Sequence, residues 1–220
     1  MRTRFFCFKT AELPPLRLKP VVVFAVFFGF CAALFYASEK ESVYSGSYMI
    51  MGRGNLTAED MGAWLTASNP DVDEDFARDF AMLYIKEAAL EGVNHDVAFS
   101  QMCLETGFLK FNRIVTIDMN NFGGLGAISM EERGERFATI ALGVRAQIQH
   151  LKAYGSTLPL TQKLVDPRYY YVRYGSAPSI YDLSGKWAVD EAYGEKLKSI
   201  IDRAYYMAAK NTSKIISYND

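Results

Sequence analysis

Two patterns divide the chain. From Val21 to Ala37 the sequence VVVFAVFFGFCAALFYA is apolar without a break and holds no charged residue, whereas from Thr57 onward apolar residues recur at helical spacing almost everywhere. Between them, residues 38–55 are polar and rich in Gly and Ser and read as a tether, with the folded part starting near Met49. Thr57, Ala58, Glu59 and Asp60 resemble a capping box with Asp in the place usually held by Glu. Met61, Trp64 and Leu65 follow at helical spacing, and Asn69-Pro70 ends that helix. Asp73-Glu74-Asp75 puts negative charge where a helix N-terminus favours it. Phe76, Phe80, Leu83, Tyr84 and Ala88 then share one face until Gly92. A third helix is predicted from about Asp96 to Thr106, closed by Gly107.

Residues 107–137 carry five glycines and little helical period, which predicts loops around a short β-hairpin. Ala141, Val144, Ile148 and Leu151 restore the helical pattern up to Gly155. Residues 156–189 are irregular and strongly aromatic, and a last helix places Tyr193, Leu197, Ile200, Ile201, Ala204 and Ala208 on one face. The expected body is mainly α with a loop-rich insert.

Charge follows the same division. Residues 1–37 hold Arg2, Arg4, Lys9, Arg17 and Lys19 against Glu12, leaving 19 basic and 24 acidic residues (24 − 5 and 25 − 1) and a net −5 on the remainder. An acidic body makes no electrostatic claim on nucleic acid. A basic flank before a 17-residue apolar run is an export signal or a membrane anchor, since roughly 17 residues are the least that span a bilayer. Cations stay cytoplasmic, so residues 38–220 are expected outside the cytoplasm. A small-x-small cleavage site is poorly satisfied around Phe35 and Ala37, which favours an uncleaved anchor, with secretion after cleavage as the alternative. Cys7 and Cys31 fall in or before the apolar segment, leaving Cys103 alone in the body and no disulfide framework within it.

Candidate chemistry begins at Glu105, at the end of the third helix, on the side shared with Ala98, Gln101 and Met102. Burial against apolar neighbours and the negative end of the helix dipole both oppose its ionisation. A carboxyl kept protonated is what a glycosidase needs to donate a proton to the leaving glycosidic oxygen. Asn120-Asn121-Phe122-Gly123-Gly124-Leu125-Gly126 offers amides suited to sugar hydroxyls and glycines that let backbone approach a ligand. The aromatic segment, with Tyr171, Tyr174 and Trp187, suits stacking on sugar rings. His95 and His150 stand far apart in sequence and read as structural, and no metal-ligand spacing or cofactor motif is present.

These residues carry a resemblance. Glu105-Thr-Gly, Asn120-Asn121-Phe122 with its glycines, Gly143-Val144-Arg145-Ala146-Gln147-Ile148-Gln149-His150, Asp166-Pro167-Arg168, and Trp187-Ala188-Val189-Asp190 followed by Tyr193-Gly194 are similar in order to the bacterial N-acetylglucosaminidases of glycoside hydrolase family 73. The resemblance implies a lysozyme-like, two-lobed fold with a small loop or β-hairpin lobe. It implies hydrolysis of the β-1,4 bond between N-acetylglucosamine and N-acetylmuramic acid in peptidoglycan. By match to the family, Glu105 is the general acid and Tyr193 lines the active site. Asn120, Asn121, Phe122, Tyr171, Tyr174 and Trp187 are the expected substrate contacts, while Asp190 is expected to cap the last helix.

An inverting glycosidase needs a second carboxylate roughly 6.5–9.5 Å from the acid, a retaining one about 5–5.5 Å away, and a substrate-assisted enzyme none. Glu131, Glu132, Glu135 and Asp118 are the candidates. A lytic transglycosylase, or a domain that binds cell wall without cutting it, are the other readings. The expected organisation is a basic segment and anchor over 1–37, a tether over 38–55, a catalytic domain over 56–210 and a tail over 211–220. The expected protein is monomeric and held to the membrane by residues 21–37.

Overall fold

The chain divides into two units, Met1–Ser42 and Val43–Asp220. A computed structural model describes residues 47–218 except 112, 113, 128 and 130, and of 212–218 the backbone alone. The predicted anchor at 21–37 lies outside the described residues. No helix among the described residues is long and apolar enough to cross a membrane.

The body is mainly helical: α1 Ala58–Ser68, α2 Glu74–Glu91, α3 His95–Thr106, α4 Ile140–Gly155 and α5 Tyr193–Tyr218, with short 3-10 turns at Ile117–Met119, Tyr169–Tyr171 and Tyr181–Leu183. The predicted boundaries hold because local chemistry sets them. The Thr57 side chain accepts from Asp60 N while Asp60 reaches back to Thr57 N, which closes the capping box. Asp73 caps α2, and Gly92 and Gly107 end α2 and α3 in left-handed conformations at φ 72° and 59°. Asp190 is expected to cap α5; its side chain instead accepts from Ala192 N, closing a turn just ahead of the helix.

Helix α3 is the centre of the fold. Residues 95–103 are all buried, beneath α2, α4 and α5. One core joins Met61, Leu65, Phe80, Tyr84, Phe99, Met102, Ile148, Leu151, Leu197 and Ile201. The end of the segment read as a tether, from near Met49 where the folded part is expected to start, belongs to the body: Ile50 is fully buried, its N–H donates to Pro178 O, and its carbonyl accepts from Asn94 N. An apolar residue with both backbone groups satisfied by distant segments is core, whatever the composition around it. At the other end, α5 continues to Tyr218, through most of the segment expected to be a tail.

The predicted hairpin is reduced to one antiparallel bridge, Ala127 with Arg133, supported by Glu135 N donating to Leu125 O. Among the described residues, β-structure consists of isolated bridges alone.

Candidate active site

The site is assembled where the C-terminal end of α3, the glycine loop, the segment before α5 and the start of α5 converge. Glu105, on the last turn of α3, is partly exposed. Tyr193, on the first turn of α5, donates its hydroxyl to Glu105 Oε1 at 2.5 Å. The Trp187 side chain is close enough to the carboxyl to act on it as a donor that lowers its pKa. Burial pushes the Glu105 carboxyl above the ordinary glutamate value, and Tyr193 and Trp187 only partly oppose it. Burial also holds the Tyr193 phenol far above its usual range, so it stays a donor.

Gly124 forms the opposite side. Its φ is +63°, and a methyl group on it would meet Glu105 Oε2 at 3.1 Å. Oε1 is therefore engaged by Tyr193 while Oε2 faces bare backbone. Gly123 to Ala127 continue into a cavity of about 250 Å³ whose other walls include His150, Tyr154, Arg168, Tyr171 and Trp187. Glu105 stands behind Gly124 and Trp187, two of its lining residues. A second cavity of about 570 Å³ shares Tyr154, Tyr171 and Lys186 and adds Tyr174, so the two form one aromatic groove leading away from the acid.

The expected contacts sort into two sets. Tyr171 and Tyr174 are exposed along the groove and Trp187 lines it. Asn120, Asn121 and Phe122 instead hold the loop together. Asn121 is fully buried, accepts from Leu125 N and donates to the carbonyls of Leu125 and Glu135. Asn120 takes a left-handed φ of 50° and donates to Phe137 O. Phe122 is turned into the core, 4.9 Å from the Phe80 ring centroid. An amide whose donors and acceptor are all spent on backbone shapes a loop and has none left for sugar.

The four candidate second carboxylates separate as well. Asp118 is bonded to Arg136 at 2.7 Å and held at a pKa of about 2 by hydrogen bonds from Thr116 and Arg136. Glu131 accepts from the Ser129 hydroxyl, which keeps its carboxyl low, and Glu132 is exposed on the same turn. Glu135 differs. Its Oε1 lies 3.4 Å from the position a methyl on Gly126 would take, and 3.7 Å from Arg168 Nη1, so it borders the same glycine run as Glu105.

Four further residues, none of them named as a site residue from the sequence, stand at the groove. Tyr154 and Lys186 line the groove, and the Tyr154 hydroxyl donates to the Lys186 carbonyl. His150 pairs through Nδ1 with buried Asp166 at 2.7 Å and stands edge-on to Trp187, while Arg168 lies over the Tyr171 ring. His95, the other histidine, is buried against the Leu56 carbonyl. Among the described residues, no group of three or more His, Cys, Asp or Glu side chains is arranged to hold a metal ion.

Residues 81–206, more than half of the chain, match the family model of glucosaminidases described as mannosyl-glycoprotein endo-beta-N-acetylglucosaminidase. The chain is 46% identical over 152 residues to an uncharacterised protein of Borreliella burgdorferi, an alignment covering 69% of this chain and 74% of that protein. No solved structure matches. The matched span runs from α2 through the glycine loop to α5, and so holds Glu105, Tyr193 and the residues that line the groove. The chain belongs to the glucosaminidase family, glycoside hydrolase family 73, and is a glycoside hydrolase of the endo-β-N-acetylglucosaminidase class.

Proposed function

We propose that the protein is a peptidoglycan hydrolase that cleaves the β-1,4 bond between N-acetylglucosamine and N-acetylmuramic acid, with Glu105 as general acid. The observation that carries this reading is the Glu105 carboxyl itself. It is shifted toward its protonated form by burial and held at Oε1 by Tyr193, while Oε2 lies against Gly124, a residue that lines an aromatic groove. Protonation of the departing oxygen requires a carboxyl that retains its proton near neutral pH and an oxygen that substrate can reach. Glu135 serves as the second carboxylate, activating water from the hairpin side, with Arg168 Nη1 3.7 Å from its Oε1. Tyr171, Tyr174 and Trp187 stack on the sugar rings. The protein acts as a monomer, held by residues 21–37 with its catalytic body outside the cytoplasm.

Purified sacculi test the reading. The wild-type protein is expected to release glycan fragments with reducing N-acetylglucosamine ends, and Glu105→Gln to lose about 10²–10⁴-fold in rate. Anhydro-muramic ends in the mass spectrum would assign the chain to the transglycosylases instead. Binding to sacculi without any soluble product would make it a wall-binding domain.

A further inference from the structure

Behind Tyr193 lies a buried chain of side-chain hydrogen bonds that the family resemblance did not single out. The Tyr84 hydroxyl donates to Gln147 Oε1 at 2.5 Å, Gln147 Nε2 donates to Gln101 Oε1 at 2.9 Å, and Gln101 Nε2 donates to the Tyr193 hydroxyl oxygen at 3.2 Å. Tyr84, Gln101 and Gln147 are fully buried, and Tyr193 is 4% exposed. The chain joins α2, α4, α3 and α5 and ends on Glu105.

Its direction is not free. Gln147 Nε2 also donates, at 3.0 Å, to the backbone carbonyl of Ala98, a group that can only accept. That contact forbids the flipped amide, so Gln147 Oε1 must face Tyr84 and its second N–H must face Gln101. Gln101 must then present Oε1 to Gln147 and its N–H to Tyr193. With a donor already aimed at its oxygen, the Tyr193 hydroxyl has its proton left for Glu105.

We propose that Gln101 and Gln147, oriented by the Ala98 carbonyl, are positioning residues that fix the Tyr193 hydroxyl proton on Glu105 Oε1 and thereby leave Oε2 as the oxygen that carries the transferable proton. The second observation agrees: Oε2 is the atom facing Gly124 and the loop that lines the groove. Buried networks of this kind resist reorientation because every alternative leaves a polar group unpaired. The catalytic meaning rests on Glu105 being the acid, as proposed above; the proton arrangement does not.

Gln101→Glu tests it by replacing one donor with one acceptor at constant shape. The new carboxylate accepts from Gln147 and from Tyr193, so the tyrosine proton turns away from Glu105. Titration of the Glu105 side-chain carboxyl carbon by ¹³C NMR, on the full chain, is expected to move up by about one to two pH units, the size of a lost charge-assisted hydrogen bond. The alkaline limb of kcat should move with it. The ionisable groups that act on Tyr193 are Glu105 and Tyr154. The direct effect of a new charge is measured by making the same substitution in Tyr193→Phe. A larger shift in the wild-type background than in the Tyr193→Phe background supports the relay, and equal shifts overturn it. Should Gln101→Glu not fold, neutron diffraction from the deuterium-exchanged wild-type protein decides: deuterium on the Glu105 side of the Tyr193 oxygen supports the relay, and deuterium on the Gln101 side overturns it. The NMR and neutron readings need no turnover. An inactive protein with the expected shifts would therefore refute the hydrolase reading and leave the relay standing.

Discussion

A side chain on Gly124 would press on the carboxyl of Glu105: its first carbon would lie 3.1 Å from Oε2, at a φ of +63° that L residues rarely adopt. The glycine is required twice, for its backbone conformation and for the space it leaves. Gly124→Ala is expected to displace the loop, or the carboxyl, by a few tenths of an ångström or more. Loss of geometry on that scale costs about tenfold to a hundredfold in rate. Circular dichroism should stay native while kcat on sacculi falls, whereas Gly52→Ala, strained in its φ of +134° but with nothing within 4 Å of the methyl, should lower stability and leave kcat intact.

Glu105 is also a source of instability. Its folded pKa lies above the ordinary 4.5. Below the unfolded value both states are protonated and the carboxyl costs nothing. As pH rises from 4.5 through the folded pKa, the unfolded chain gives up its proton first and stability falls. Glu105→Gln removes that loss. Its melting temperature is expected to match wild type below pH 4.5 and to exceed it near neutrality, while activity is lost. A variant less stable than wild type at pH 7 would contradict the buried, proton-retaining carboxyl.

The helices were legible because their ends are written locally. Thr57 with Asp60, Asp73, Gly92 and Gly107 each act within a few residues of themselves. Glu105 and Tyr193 were legible through motifs in register. The supports between them were not, since Gln101 and Tyr193 are 92 residues apart, and Glu91 and Lys152 are 61 apart. A glutamine on the buried face of a helix, as at 101 and 147, is the available signal, because an amide in a core must find partners. Asn121 and Phe122 show the reverse difficulty. Amides and an aromatic beside glycines fit a binding loop, yet here the same residue types are spent holding that loop to Phe80, Leu125 and Glu135.

Among the acidic residues of the hairpin region, Glu135 alone borders the glycine run. Glu135→Gln is expected to lower kcat by about two orders of magnitude or more, the contribution of a general base. Asp118→Asn, Glu131→Gln and Glu132→Gln should each stay within about threefold of wild type, since those carboxylates are exposed and face Arg136, the Ser129 hydroxyl or water. Retained activity in Glu135→Gln, with azide failing to change the product, would point to a substrate-assisted route.

Tyr171 is 79% exposed, with Arg168 over its ring at 5.2 Å, and it borders both cavities. Its removal leaves no hole in the core, so Tyr171→Ala should change stability by less than about 0.5 kcal/mol. A lost stacking contact is worth about 0.5–1.5 kcal/mol, which predicts KM raised about two- to twelvefold with kcat little changed. Glycan chain length sharpens the measurement: short oligosaccharides that end before the groove should not distinguish the variant from wild type.

Glu91 and Lys152 form an ion pair at 2.8 Å with both residues almost fully buried, at 2% and 4% exposure. Glu91 also accepts from the backbone N–H groups of Thr161 and Gln162, each at 2.9 Å. Burial alone would push its carboxyl up, but Lys152 and the two amides outweigh it and hold the group below its ordinary range. The pair thus pins the segment that leads to Asp166, Arg168 and Tyr171, on one wall of the groove. Glu91→Gln leaves Lys152 buried without a counter-charge, and a broken pair of this kind costs about 3–5 kcal/mol. The double variant Glu91→Leu/Lys152→Met removes both charges and should recover most of that loss, though not the anchoring of residues 161 and 162. The sign with pH follows from the lowered pKa. The stability contributed by Glu91 is present above the unfolded value near 4.5 and disappears as pH falls through the folded one. Denaturant melts should therefore show wild type losing stability in acid more steeply than the double variant. The double variant should also bind sacculi less tightly at neutral pH, because the groove wall has lost its backbone anchor while Glu105, Tyr193 and their supporting amides are untouched.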